Sequence, residues 1–259
     1  MRLLIIRHGD PDYSIDSLTE KGWREAKLLA PRLWNEHIDE FYVSPLGRAN
    51  DTAKPTLDLY EEKTGKRPVI TKLDWLREFP ASIDLDQTEY GAPDGTPNMR
   101  CPWNMPVGFF ASQEEFFGQD WKNVPIFADP DCKVVETYER IDSAFDAFMA
   151  EHGFIRRAKN GFPSRIYDIQ PDAKRDLTIA FFCHLGLGNS LLASITGIPL
   201  PLFWKTFFLP TTSVTTLITE PEPWAADQPV FRIVGLGDVS HLYAGGEPTS
   251  SSGLKCPIR

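Results

Sequence analysis

Cysteine is scarce and unpatterned in this sequence. Four occur among 259 residues, Cys101, Cys132, Cys183 and Cys256, and no two share a C-x-x-C spacing. The chain thus shows no cysteine-based zinc or dithiol redox signature, and reduced structural thiols are expected. Long apolar runs are also missing, since none approaches the roughly 20 residues that cross a bilayer. No signal-peptide apolar region precedes the first strand pattern, so the chain reads as cytoplasmic. Positive charge is in deficit: 27 Lys and Arg stand against 36 Asp and Glu, a net charge of -9. This argues against nucleic acid or an anionic membrane as the main partner. Internal repeats and low-complexity tracts are absent.

The chain does carry an alternation of apolar strands and amphipathic helices. Its length fits one large domain over residues 1–259, or a core with an insertion. Leu3 to Ile6 is a continuous apolar run that suits a strand buried on both faces. Thr19 is a good N-cap for a helix from Glu20 to about Glu36, with Leu28, Leu29, Leu33 and Trp34 at helical spacing. A strand at Phe41 to Ser44, a helix after Pro45 and a strand near Val69 to Leu73 follow. Farther on come a strand run from Asp176 to Cys183, a helix from Gly186 to Thr196, and strands at Val214 to Thr219 and Val230 to Gly235. Strand and helix in alternation predict an α/β fold, a mostly parallel central sheet flanked by helices.

Residues 79–175 interrupt this pattern. The stretch is too long for a loop and holds its own helical pattern from Val134 to Met149. Ahead of that helix lie Tyr90, Pro93, Gly95, Pro97, Pro102, Trp103, Pro106, Phe109, Phe110, Phe116, Phe117 and Trp121. Aromatics mixed with prolines make a stiff, ordered segment, read here as an inserted cap beside the functional site. The tail from Gly245 to Arg259 reads as a loose end.

Parallel sheets hold their ligands at the carboxyl ends of their strands. Arg7 and His8 stand at such an end, followed by Gly9, which permits a sharp turn or close backbone approach. Arginine offers a fork of donors to an oxyanion, and histidine can act as nucleophile or proton shuttle near neutral pH. Arg7-His8-Gly9 followed by Leu18-Thr19-Glu20-Lys21-Gly22-Trp23-Arg24-Glu25-Ala26 resembles the histidine phosphatase superfamily, which includes phosphoglycerate mutases. Ser44-Pro45-Leu46-Gly47-Arg48-Ala49-Asn50-Asp51-Thr52-Ala53 is similar to that family's second signature, and Phe181-Phe182-Cys183-His184-Leu185-Gly186 to the strand carrying its second histidine.

The resemblance implies a three-layer sandwich and assigns roles. His8 would be the nucleophile, with its other ring nitrogen held by an acceptor. Arg7 and Arg48 would clamp the phosphate oxygens. His184, protonated when phosphate is bound, would stabilise developing charge, and the helix beginning beside it, at Leu185 and Gly186, would aim backbone N–H groups at the same phosphate. Glu78 matches the position of the family's acid, with Asp74 and Asp84 as rivals and Arg77 adjacent. The implied activity is metal-independent and cofactor-free hydrolysis of a small phosphorylated metabolite through a phosphohistidine. Alternatives are a mutase-type phosphotransferase and a non-catalytic phospho-ligand binder on the same fold.

One departure stands out. The family opening usually continues with Glu-Thr or Glu-Ser, whereas this chain has Asp10-Pro11-Asp12-Tyr13. The missing hydroxyl leaves Tyr13, Ser14 or Ser17 to compensate, and weakens the mutase reading more than the phosphatase reading. His37 and His152 are expected to face solvent, and His241 is given no catalytic role. The cap cations Lys122, Lys133, Arg140, Arg156, Arg157, Lys159, Arg165, Lys174 and Arg175 are candidates for a second anionic group of the substrate, or simply a solvated face. Neither substrate nor oligomeric state can be read from the sequence.

Overall fold

A computed structural model describes residues 1–86, 88–91, 99–129, 131–157, 166–222 and 225–254. Pro93, Gly95, Pro97, Lys159, Arg165 and Cys256 lie outside the described residues, as do the last residues of the tail. The central sheet has six strands: β1 (Arg2–Arg7), β2 (Glu40–Val43), β3 (Ile70–Lys72), β4 (Thr178–Cys183), β5 (Val214–Glu222) and β6 (Ala225–Asp238). Their spatial order is β6-β5-β1-β4-β2-β3. The pairs β1/β4, β4/β2 and β2/β3 are parallel, while β1/β5 and β5/β6 are antiparallel. The sheet is therefore mixed, parallel over its greater part with an antiparallel edge.

Three layers follow from the strand period of two. Leu4 and Ile6 of β1 and Ala180 and Phe182 of β4 face one side, where Leu29, Leu33, Ala49, Ala53 and Leu57 cover them. These come from α1 (Glu20–Trp34) and α2 (Gly47–Thr64). Leu3, Ile5, Ile179 and Phe181 face the opposite side, packed in a larger cluster with residues of α3 (Val134–Glu151) and α4 (Leu185–Thr196). Strands buried on both faces read as continuous apolar runs, which is why β1 and β4 were so plain in the sequence.

Local chemistry sets the helix boundaries. Thr19 caps α1, its hydroxyl accepting from the Gly22 N–H at 3.1 Å, and a left-handed Gly65 (φ 73°) ends α2. α1 stops at Trp34, two residues short of the expected Glu36.

Between β3 and β4 the chain forms a small hairpin, Ile83–Asp84 with Met99–Arg100, several short helical turns, α3, and a second hairpin, Phe154–Arg156 with Tyr167–Ile169. Phe109, Phe110, Phe116 and Trp121 are buried and join the larger cluster, so they pack as core. Phe117 is exposed.

Two expectations need correction. His152 does not face solvent: it is 4% exposed, with Nδ1 at 2.8 Å from the Phe148 carbonyl and Nε2 at 2.8 Å from Glu40. Its position at the end of α3 brings it against Glu40, the first residue of β2. His37 is exposed, as expected. The tail, over its described part, is not loose. Glu247 pairs with Lys21 and Arg24 at 2.8 Å each, Ser250 donates to Asp10, and the Ser252 carbonyl accepts from Arg7 at 2.8 Å. Hydrogen bonds from Arg24 and Lys21 draw the Glu247 carboxyl down to about 2. Among the described residues, no helix is long and apolar enough to cross a membrane.

Candidate active site

Three neighbouring parallel strands deliver three side chains to one edge. Ile6 pairs with Phe182 and Phe182 with Val43, so His8, His184 and Ser44 follow their strand ends side by side. The His8 and His184 ring centroids are 5.1 Å apart, and His184 Nε2 lies 2.8 Å from Ser44 Oγ. The backbone seals this edge: the His8 N–H donates to the Cys183 carbonyl at 2.9 Å, and the His8 carbonyl accepts from the Thr212 N–H at 3.2 Å. Thr212 holds φ 54°, a strained conformation for a β-branched residue.

His8 is 2% exposed. Its Nδ1 lies 2.7 Å from the Gly9 carbonyl. A carbonyl can only accept, so Nδ1 carries the hydrogen and Nε2 keeps its lone pair. Burial, with Arg7 and Arg48 adding to it, pushes the His8 ring well below its usual value of 6.5, and the neutral form prevails at neutral pH. His184 is shifted the same way by burial and by His8, Arg48 and Arg7. It rests neutral, and only an arriving anion would favour its imidazolium.

Both arginines are anchored by one end of the guanidinium. Arg7 Nη1 donates to the Leu209 carbonyl at 2.7 Å and Nη2 to the Ser252 carbonyl at 2.8 Å, with the Phe208 ring 5.3 Å away. Arg48 Nη1 meets Asp16 at 2.6 Å, and Asp16 also accepts the Gly47 N–H at 2.7 Å. Three buried nitrogens, Arg7 Nε, Arg48 Nε and His184 Nδ1, have no hydrogen-bond partner among the described residues. Buried donors are seldom left unpaired, because each costs its full desolvation. Their gathering beside His8 suits an oxyanion.

Glu78 reaches the same place from the turn after β3. Its Oε1 accepts the Phe79 N–H at 2.8 Å and the Leu187 N–H, in the first turn of α4, at 3.1 Å. Burial raises its carboxyl above the usual 4.5, against those hydrogen bonds and the pull of Arg7 and Arg48. Gly186 makes this approach possible, since a Cβ there would stand 2.8 Å from Glu78 Oε1 and 2.4 Å from the Trp103 ring. Leu185 opens α4 at 5% exposure, and the N–H groups of a helix's first turn have no intrahelical partner. Asp74, by contrast, is 75% exposed and bound to Arg77 at 2.7 Å, and Asp84 turns to the Asp86 N–H at 2.9 Å. Neither rival acid joins the cluster.

Several contributors were not singled out in the sequence. Ser44 holds His184, and Thr52 accepts the Gly9 N–H at 2.9 Å while donating to the Arg48 carbonyl at 2.7 Å, which ties the Arg-His-Gly loop to α2. Both lie within the second signature, whose strand-end serine matched the strand-end histidines in placement. Asp10, the departure after Gly9, accepts from Thr19 at 2.7 Å and from Ser250, joining the α1 cap to the tail. Tyr13 lies 5.4 Å from the Arg48 guanidinium, while Ser14 and Ser17 bond to Asp12 and Asp51. Among the cap cations, Arg156 is held by Asp142 and Asp146 at 2.7 and 2.8 Å, Lys122 by Glu139, Arg157 by Asp168 and Lys174 by Glu40.

Known proteins resemble this chain in part of its sequence and in its fold. Residues 3–80 match the family model of the histidine phosphatase superfamily (branch 1). A 2,3-bisphosphoglycerate-dependent phosphoglycerate mutase of Thermoplasma acidophilum is 36% identical over 69 residues, 23% of this chain and 34% of the mutase. A phosphoserine phosphatase 1 of Hydrogenobacter thermophilus is 31% identical over 83 residues, 29% of this chain and 39% of the phosphatase. The chain thus spans little more than a third of the length of these curated relatives. Structural likeness reaches farther. A phosphoserine phosphatase variant from Entamoeba histolytica, solved with phosphoserine, superposes with a TM-score of 0.57 at 16% identity, over 93% of this chain and 98% of the other. A mycobacterial glucosyl-3-phosphoglycerate phosphatase gives 0.54 at 19% identity over 91% and 98%. The fold is that of these phosphatases, and residues 3–80 of the chain are similar to the histidine phosphatase superfamily (branch 1).

Proposed function

We propose that the chain is a metal-independent phosphomonoester hydrolase acting on a small phosphorylated metabolite through phospho-His8. The observation that carries this reading is the set of unpaired buried nitrogens, Arg7 Nε, Arg48 Nε and His184 Nδ1, beside a histidine whose Nε2 keeps its lone pair. The phosphatase name of the 31% identical relative supports it.

In the first step His8 Nε2 attacks phosphorus as the bond to the alcohol oxygen breaks, and Glu78 gives that oxygen its proton. Arg7, Arg48, His184 and the Leu185 N–H hold the nonbridging oxygens, with charge matched to the transition state. In the second step Glu78, now a carboxylate, takes a proton from water. The water oxygen bonds to phosphorus, the N–P bond breaks, and its electron pair returns to Nε2. Ser44 orients His184 from behind. Residues 79–175 act as a cap that shapes which alcohol enters, and the enzyme works in the cytoplasm.

Phosphate release from a panel of sugar phosphates, phosphoamino acids, nucleotides and phosphoglycerates is the test. Wild-type protein should release phosphate with or without chelator, and His8→Ala should lose it. Undiminished release by His8→Ala, or abolition by chelator, refutes the proposal. A mutase reading is favoured by the 36% identical relative. It predicts interconversion of phosphoglycerates after priming with bisphosphoglycerate, with little free phosphate.

A further inference from the structure

A cavity of about 380 Å³ opens beside Leu185, a size typical of small-molecule sites. Of the proposed phosphate contacts it shares Leu185 alone, and it begins where they end. Phe208, one wall, packs against the Arg7 guanidinium. Trp103, another, closes over the Gly186 Cα at the point where Glu78 Oε1 also arrives. An ester whose phosphorus lies at His8 and whose bridging oxygen lies at Glu78 would therefore direct its alcohol into this cavity.

The walls are aromatic. Trp103, Trp204, Phe207 and Phe208 line it, and the Trp103 and Trp204 rings stand 6.3 Å apart at 60°. Flat side chains of this kind favour a flat guest, which keeps contact with several faces at once. Two buried polar atoms of lining residues also lack a partner among the described residues: Asn189 Oδ1, on a residue 1% exposed, and Trp204 Nε1, on a residue 5% exposed. The Asn189 amide is oriented by its Nδ2 donating to the Phe207 carbonyl at 3.4 Å. One unmet acceptor and one unmet donor on the lining residues would give a guest a polar edge once it makes room to reach them.

We infer that this cavity is the leaving-group subsite, and that it takes a ring-bearing alcohol with a polar edge, such as a hydroxyl able to donate to Asn189 and accept from Trp204. The inference rests on the phosphatase reading of the same site. Its competitor is an acidic alcohol, which Arg100 and Lys205, also in the lining, would favour. Lys205 already donates to the Met105 carbonyl, and the aromatic walls and the unmet pair at Asn189 and Trp204 do not complement a carboxylate.

Two phosphate esters of primary alcohols decide between them, 2-(4-hydroxyphenyl)ethyl phosphate and 3-phosphoglycerate, compared on full-length protein with inhibition by inorganic phosphate measured alongside. The expected kcat/KM for the ring ester exceeds that for 3-phosphoglycerate by about tenfold or more, the size of discrimination a shaped apolar pocket achieves. Trp103→Ala should bring the ratio to about one, while Trp103→Phe retains a ring preference. A wild-type ratio below tenfold, or a preference for 3-phosphoglycerate, overturns the subsite inference and leaves the phosphatase reading standing. Failure of the wild-type protein to turn over any ester overturns the phosphatase reading, and the inference with it.

Discussion

Arg7 Nη2 and the Ser252 carbonyl are joined at 2.8 Å across 245 positions of sequence. The residue proposed to grip phosphate is thus held in place by the far end of the described chain, through a bond between a buried cation and a backbone acceptor.

Removing residues 247–259 should free that end of the guanidinium and take Gly253 and Leu254 out of the cavity wall. A hydrogen bond to a charged group contributes about 1.5–3 kcal/mol, so inorganic phosphate should inhibit the truncated protein roughly 10- to 100-fold more weakly. Glu247→Gln, which weakens the pairs with Lys21 and Arg24 but leaves the Ser252 carbonyl on Arg7, should change inhibition less than the truncation does. Equal inhibition constants for truncated and intact protein would show that Arg7 needs no such support.

Glu78→Gln should separate substrates by leaving group. Glutamine cannot give up a proton, so turnover of alkyl phosphates should fall about 10²- to 10⁴-fold, while 4-nitrophenyl phosphate, whose phenolate departs unaided, should lose far less. Equal losses on both would remove Glu78 from the acid role.

The pH profile of kcat/KM should be bell-shaped. The acid limb, where His8 Nε2 takes a proton, lies below 6.5 because the His8 ring is lowered. The alkaline limb, where Glu78 loses its proton, lies above 4.5 because that carboxyl is raised. Glu78→Gln should abolish the alkaline limb and leave the acid one.

Stability should fall with acid through His241, 7% exposed, whose ring is lowered from 6.5 to about 4 by burial, with a further push from Arg32. The unfolded chain then takes up its proton first. Stability from this group is full above 6.5, declines as pH falls to about 4, and levels off below that. The loss amounts to about 3 kcal/mol at most, and His8 and His184 act in the same direction. Urea unfolding at pH 7.5, 5 and 4 should show the decline, and His241→Gln should flatten it.

The sheet and the histidines were readable because they rest on local patterns. Doubly buried strands leave unbroken apolar runs, with Arg7-His8-Gly9 and His184 at their ends, and Arg48 opens the helix after another strand. Glu78 was named through the resemblance, which places an acid after the third core strand. The tail was not readable, since Thr-Ser-Ser-Ser-Gly has the composition of a loose segment and is ordered by Asp10, Lys21, Arg24 and Arg7, all more than 200 positions away. His152 was misread for the same reason: its partner Glu40 lies in β2, 112 positions earlier, and nothing near His152 in sequence announces burial. Ser44 was quoted within a signature without a role, because its partner His184 arrives from a different strand. The cap aromatics gave their order but not their grouping, for short helical turns have no period long enough to show which rings share a wall.

Because β1 is central in the sheet although it comes first in the chain, it leaves the ribosome long before its neighbours. Its partners are β4, ending at Cys183, and β5, beginning at Val214. Until both have emerged, an apolar strand with open edges waits for them, a state prone to wrong pairing. Holding Leu3 to Ile6 apart from other chains during that interval falls to the nascent chain and to whatever chaperones attend it, and slower elongation before Val214 would lengthen the exposure.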